Sequence, residues 1–259
     1  MPNSSRPVLK SFRLMLLAGV AAATLAACAS NRASIASPDY SGLTTEEAQL
    51  NIAELGARYE GRPNDKRNAI YYAAALRAAG QPGQAVAVLQ QATLTHPDDI
   101  DISIAYAKAL AAEGKFDQAL TIIEGAIRTD SPDWHALNVK GAILDQMGRN
   151  GEARAIYNQG LLIAPEEAAI HANLGLSYAM TGDLPTAELH LATAVTKHGV
   201  TSQIRQNLAL VIGLQGRFDE ARAIYAAELG PEQVEANMAY IRALLTQQNS
   251  WNLIAGENG

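Results

Sequence analysis

Of 259 residues, 48% are hydrophobic and only 5% aromatic, a balance that suits stacked helices and fits sheets poorly. The net charge is −6, with no Lys/Arg stripe and no interleaved aromatics, which disfavours nucleic acid as a partner. The single cysteine, Cys28, excludes an internal disulfide and any cysteine-based metal cluster.

In chain order, residues 1–27 read as a secretory signal: Arg6, Lys10 and Arg13 precede an apolar stretch from Leu14 to Ala27. That stretch is too short to span a bilayer, which needs about 20 residues. It ends Leu25-Ala26-Ala27-Cys28, which resembles the lipobox of bacterial lipoproteins. The resemblance implies that Cys28 is diacylated on sulfur (palmitate-like chains), that cleavage falls just before it, and that the new N-terminus is acylated. Ala29 after the cysteine implies sorting to the outer membrane, on its periplasmic face. Stable anchoring takes at least two acyl signals, so a multiply acylated cysteine tethers firmly. The other reading is an ordinary signal peptide followed by an unmodified cysteine. A catalytic thiol is disfavoured, because nothing in the Ala/Ser-rich surroundings of Cys28 activates it. Loss of the three basic residues takes the charge from −6 to −9, a surplus that serves solubility.

Residues 28–43 are small and polar and read as a flexible tether. Residues 44–65 follow, with Thr44 or Thr45 as a candidate N-cap for a helix running to about Tyr59. Pro63-Asn64-Asp65 anticipates Pro97-Asp98-Asp99 by one period of the array described next, so this helix is the second half of a repeat whose first half is missing. Such a half-repeat covers the exposed end of a stack.

From residue 66 to residue 230 the chain is periodic. Gly80, Gly114, Gly148, Gly182 and Gly216 recur at one constant interval, without slippage, and Ala85, Ala119, Ala153, Ala187 and Ala221 keep the same interval. Small residues recur seven places before each glycine, at Ala73, Ala107, Gly141, Gly175 and Ala209. A fixed period of this length means an array of identical supersecondary units. In residues 100–133 one unit reads as a helix from Ile100 to Ala112, a turn at Gly114, and a second helix from Gln118 to Arg128. Where the two helices cross, only Gly or Ala allows close approach.

This pattern resembles the tetratricopeptide repeat: small at position 8, glycine near 15, aromatic at 17 (Phe116, Phe218), alanine at 20 and large at 24. Pro82 and Asn150 depart from it at position 17 and Gly199 at position 32. The resemblance implies an all-α solenoid, a right-handed superhelix of five repeats at 66–99, 100–133, 134–167, 168–201 and 202–230. It also implies a concave groove lined by each first helix, built to bind polypeptide. Gly230-Pro231 breaks the period, and a helix from about Glu232 to Gln248 in the segment 231–259 reads as the C-terminal cap, with Trp251 tucked against it.

Catalytic signals are missing. The five histidines form no H-x-H or H-E-x-x-H pair, none has an acid at a spacing that would orient it, and no P-loop, G-x-S-x-G or G-x-G-x-x-G is present. A non-enzymatic chain with no metal and no cofactor is therefore expected, and its business is binding. Asn173 and Asn207 stand one period apart, in Asn173-Leu174-Gly175-Leu176 and Asn207-Leu208-Ala209-Leu210, and Asn237 echoes them in the last helix. Asparagine both donates and accepts, so a ladder of them can hold a peptide backbone. With Asn138, Leu176 and Leu210 they form the candidate partner-binding set. The alternative is that each asparagine bonds a backbone carbonyl of the neighbouring repeat. Ile104, Lys108, Asn138, Asp145 and Ala172 make the lining of the middle repeats mixed, unlike the basic lining of carboxylate-clamp repeats. Asp98, Asp99 and Asp101 read as a solvated turn.

Three longer stretches carry a narrower resemblance. They are Trp134 with Gly141-Ala142-Ile143-Leu144-Asp145-Gln146-Met147-Gly148-Arg149, then Asn173 to Tyr178, and Ile204 to Phe218 with Pro231-Glu232-Gln233 and Ala236-Asn237. Together with the leader and the lipobox they resemble the TadD family, the repeat lipoproteins of the tight-adherence (Tad/Flp) pilus machinery. That resemblance implies a pilotin-like role in assembling the pilus and its outer-membrane secretin, with the secretin or other Tad components as partners. A repeat lipoprotein serving outer-membrane protein assembly or cell-wall synthesis is the competing expectation.

Overall fold

The computed structural model describes residues 45–256, with side chains for residues 46–247. The expected leader, the expected lipidation at Cys28, the expected tether and the side chain of Trp251 lie outside the described residues.

Among the described residues there are twelve helices: α1 Thr45–Gly61, α2 Lys66–Ala78, α3 Pro82–Thr95, α4 Ile100–Ala112, α5 Phe116–Ala126, α6 Trp134–Gln146, α7 Asn150–Ile163, α8 Ala168–Ala179, α9 Leu184–Ala194, α10 Ser202–Leu214, α11 Phe218–Glu228 and α12 Pro231–Gly256. They stack as five helical hairpins, α2–α3 through α10–α11, between α1 and α12. Each second helix also packs on the first helix of the next repeat, and successive first helices touch one another from α2 to α12. First helices therefore form the inner layer of the solenoid and second helices the outer one. The last helix runs further than the sequence reading, which stopped it near Gln248.

Two local devices set the period. At the end of each first helix the chain reverses through a glycine with positive φ, between 72° and 85° at Gly80, Gly114, Gly148, Gly182 and Gly216. The residue after it donates back to a carbonyl near the helix end, as Arg149 N–H does to Leu144 O at 2.9 Å, which closes the helix in a Schellman turn. Any side chain with a Cβ is strained at that φ.

The second device is at the start of each first helix. Asp65, Asp99 and Asp133, spaced by the same period, accept from the backbone N–H groups two and three residues on, at 2.8 to 3.3 Å. Thr201 caps α10 through Ile204 N–H at 3.3 Å. Each such cap is worth about 1 kcal/mol. Glu167 holds the same place without a side-chain cap. There the loops pair instead: Ala168 N–H donates to His198 O and His198 N–H to Glu166 O, both at 2.9 Å. The acidic turn is thus structural, since Asp99 and Asp101 also hold Lys66, at 2.7 and 3.3 Å.

The hairpins close on the small residues. A Cβ on Gly141 would stand 2.4 Å from the Tyr157 ring, and one on Gly175 would stand 2.9 Å from both the Ala187 carbonyl and Leu191 Cγ. The core built this way falls into four buried clusters along the stack, bridged by the half-buried Leu120, Tyr178 and Leu208. Ile70, Leu76, Leu89, Leu110, Ile123, Ile143, Tyr157, Ile170, Leu174 and Leu191 are fully or almost fully buried. Burial of one such side chain is worth about 1.5–3 kcal/mol. No described helix is long and apolar enough to cross a membrane.

Candidate functional site

The asparagines lie on the inner layer, and three of the four are buried. Asn138 sits on α6, Asn173 on α8 and Asn207 on α10, each no more than 2% exposed. Asn237 on α12 is half-buried. Asn173 Nδ2 donates to Asn138 Oδ1 at 2.9 Å, joining the third repeat to the fourth. One link between these repeats is therefore amide to amide. Asn207 Oδ1 accepts from Gln203 Nε2 at 3.0 Å, within its own helix. Its Nδ2 is buried and meets no acceptor among the described residues. Of the two leucines, Leu176 is buried and Leu210 half-buried. Ile104, Lys108, Asp145 and Ala172 are buried as well, so polar and apolar side chains do alternate along this layer.

Sequence reasoning placed Asp145 in the lining but missed its network. Asp145 Oδ1 accepts from Ser177 Oγ on α8 and from Asn150 Nδ2 on α7, both at 2.7 Å, and Oδ2 accepts from Tyr157 Oη at 3.0 Å. Burial pushes its carboxyl up to about 6, against the pull of those three donors and of the nearby Arg154 charge. Arg154 itself donates to the Ser177 carbonyl at 2.7 Å and to Thr181 Oγ1, and its guanidinium lies 4.1 Å from the centre of the Tyr178 ring. A carboxylate directly after the apolar run Ala142-Ile143-Leu144 is the one hint the sequence offers.

The histidines need one correction. Asp133 does orient His135: its Oδ1 lies 3.0 Å from His135 Nδ1, while His135 Nε2 is buried without a partner among the described residues. The sequence reading missed this because the two residues flank Trp134, a spacing that brings side chains together only at a helix N-cap. His96 and His171 reach the carbonyls of Asn64 and Pro165, at 2.7 and 3.0 Å. His190 stacks on Tyr178 with ring centres 5.5 Å apart, and burial lowers its pKa. Among the described residues no group of acids, histidines and cysteines is placed to hold a metal.

A stack of helical hairpins with small residues at every crossing and an inner layer of first helices defines a class of repeat protein. The tetratricopeptide repeat family matches residues 76–140, 140–199 and 205–227, and the chain belongs to the tetratricopeptide-repeat proteins. It is 34% identical over 107 residues to an uncharacterized protein, y4yS, of Sinorhizobium fredii (strain NBRC 101917 / NGR234), a match over 41% of this chain and 58% of that one. The chain thus spans little more than half the length of that relative. Among solved structures it is similar to TTC0263, a repeat protein of Thermus thermophilus, with a TM-score of 0.61, 23% identity, and 68% and 98% of the two chains covered. A tetratricopeptide repeat protein of Parabacteroides merdae ATCC 43184 gives a TM-score of 0.64 at 11% identity, over 76% and 78% of the chains. At these identities the structural likeness speaks for the fold. The repeats point to a protein-binding scaffold.

Proposed function

We propose that the chain is a lipid-anchored scaffold of the tight-adherence pilus machinery, moored at Cys28 to the periplasmic face of the outer membrane. It grips a partner polypeptide, the pilus secretin or another Tad component, along the inner layer of its solenoid. One observation carries the binding part of this reading: the inner layer of first helices that the successive tetratricopeptide repeats build, on which Leu210 and Asn237 stay partly exposed while Asn138, Asn173 and Asn207 are buried within it. The pilus assignment draws on the stretches around Gly141–Arg149, Asn173–Tyr178 and Ile204–Phe218 and on the leader with its lipobox. Affinity purification of the full chain from detergent-solubilised membranes tests it. Recovery of the secretin or another pilus component supports the proposal, and recovery of outer-membrane assembly or cell-wall enzymes replaces it with the competing scaffold role. Intact mass of the purified chain tests the anchor: a chain starting at Cys28 with acyl chains is expected, and an unmodified one contradicts it.

A further inference from the structure

The solenoid is out of phase at its two ends. Among the described residues it begins on α1, a second helix without a first, and finishes on α12, which packs on α10 and α11 as a sixth first helix without a second. Exposure shows the mismatch. At the crossing point of the five complete repeats the small residue is buried, at Ala73, Ala107, Gly141, Gly175 and Ala209. Counted from Glu232, α12 puts Ala239 at that point, and Ala239 is exposed, flanked by exposed Ala236, Arg242 and Ala243. At the other end, α1 carries Leu55 where the complete repeats have Leu89, Ile123, Tyr157, Leu191 and Tyr225, and beside it the half-buried Asn51 and the exposed Glu47, Glu54 and Arg58.

Within a repeat the two helices run antiparallel. Brought together in that register, α12 and a second copy's α1 set Glu232 and Glu235 (the latter paired with Arg222 in its own chain) beside Arg58, which pairs with Glu54 in its own helix, and Arg242 beside Glu46 and Glu47. We propose that the chain associates head to tail, α1 of one copy docking on α12 of the next as its missing second helix. The contact joins two different surfaces, so it propagates rather than closing on itself. Asn51 stands where all five complete repeats have alanine, and Arg58 where four of the five have Ala or Gly, so the joint is reversible and weakened by salt.

The test is light scattering of the full chain in detergent over a wide concentration range. The native chain is expected to grow in mass with concentration, without a plateau at the dimer, and less so at high salt. Arg58→Glu acts on the α1 face, with loss of its pair to Glu54 in the same helix, and Ala239→Arg acts on the α12 face; both residues are exposed, and circular dichroism checks that each variant keeps its helicity. Each variant alone is expected to stay monomeric, while a mixture of the two forms dimers through the one intact joint. A native chain monomeric at every concentration, variants that associate as the native chain does, or a mixture that stays monomeric would overturn the proposal.

Discussion

Asp145 is the residue where charge and packing conflict. Its carboxyl is buried between α6, α7 and α8, and its pKa of about 6 stands well above the ordinary 3.8. A raised carboxyl pKa means that the fold prefers the protonated form. The stability it contributes is full below about pH 4 and is lost as pH rises through 6. At neutral pH the buried charge costs at most about 3 kcal/mol. Asp145→Asn should therefore melt above the native chain at pH 7, by a margin that narrows at pH 5. The amide can still accept from Ser177 and Asn150 and donate to Tyr157. An equal margin at both pH values would mean that the carboxyl does not titrate in this range. Gly175→Ala acts in the opposite direction. The added methyl meets a backbone carbonyl that cannot swing away, so a loss of about 1–3 kcal/mol is expected by denaturant unfolding. The need for small residues at the crossings was legible in the sequence, because the period exposes it. The Asp145 network was not, because Ser177 lies 32 residues away and only the stacking of α8 on α6 brings it near.

At the scale of the helix, the period was readable and the terminal details less so. The glycines announced where first helices end. The N-caps at Asp65, Asp99, Asp133 and Thr201 keep the same spacing but went unread, since the acidic run around Asp99 looked like a solvated turn. Asp99 caps α4 and also pairs with Lys66 of the preceding repeat, which ties two units together. Asp99→Ala should cost more than Asp65→Ala, by roughly a further 0.2–1 kcal/mol, the worth of a partly exposed ion pair. Equal losses in urea melts would show that the pair adds nothing. The asparagine ladder divides at this scale as well. Asn173 spends an amide on Asn138, whereas the buried Asn207 amide leaves its N–H unpaired among the described residues. Asn173→Ala is expected to lower stability by about 1–3 kcal/mol, since it removes the donor to Asn138 Oδ1, and Asn207→Ala to cost less, since half of its buried amide is unpaired, with partner capture unchanged. Unfolding and affinity-purification yields for the two variants separate these outcomes.

For the whole molecule, the architecture follows from arithmetic: one residue interval, repeated, builds an inner layer of helices that no single unit could bury alone. What the chain holds there is a separate matter, because repeat proteins of one fold serve many partners. The stretches on which the proposed pilus role draws fall largely on residues with packing tasks. Gly141 admits Tyr157, Asp145 joins three helices, and Gly213 makes room for Ile241 of α12. They record how the inner layer is assembled, and the partner has to be read from that layer directly. The decisive measurement is photo-crosslinking in living cells from Leu210, half-buried on the inner layer, with Leu94, exposed on the outer layer, as control. The account predicts that Leu210 captures the pilus secretin or another component of that machine and that Leu94 does not. Capture from Leu94 alone, or of a cell-wall or outer-membrane assembly enzyme from Leu210, would contradict it.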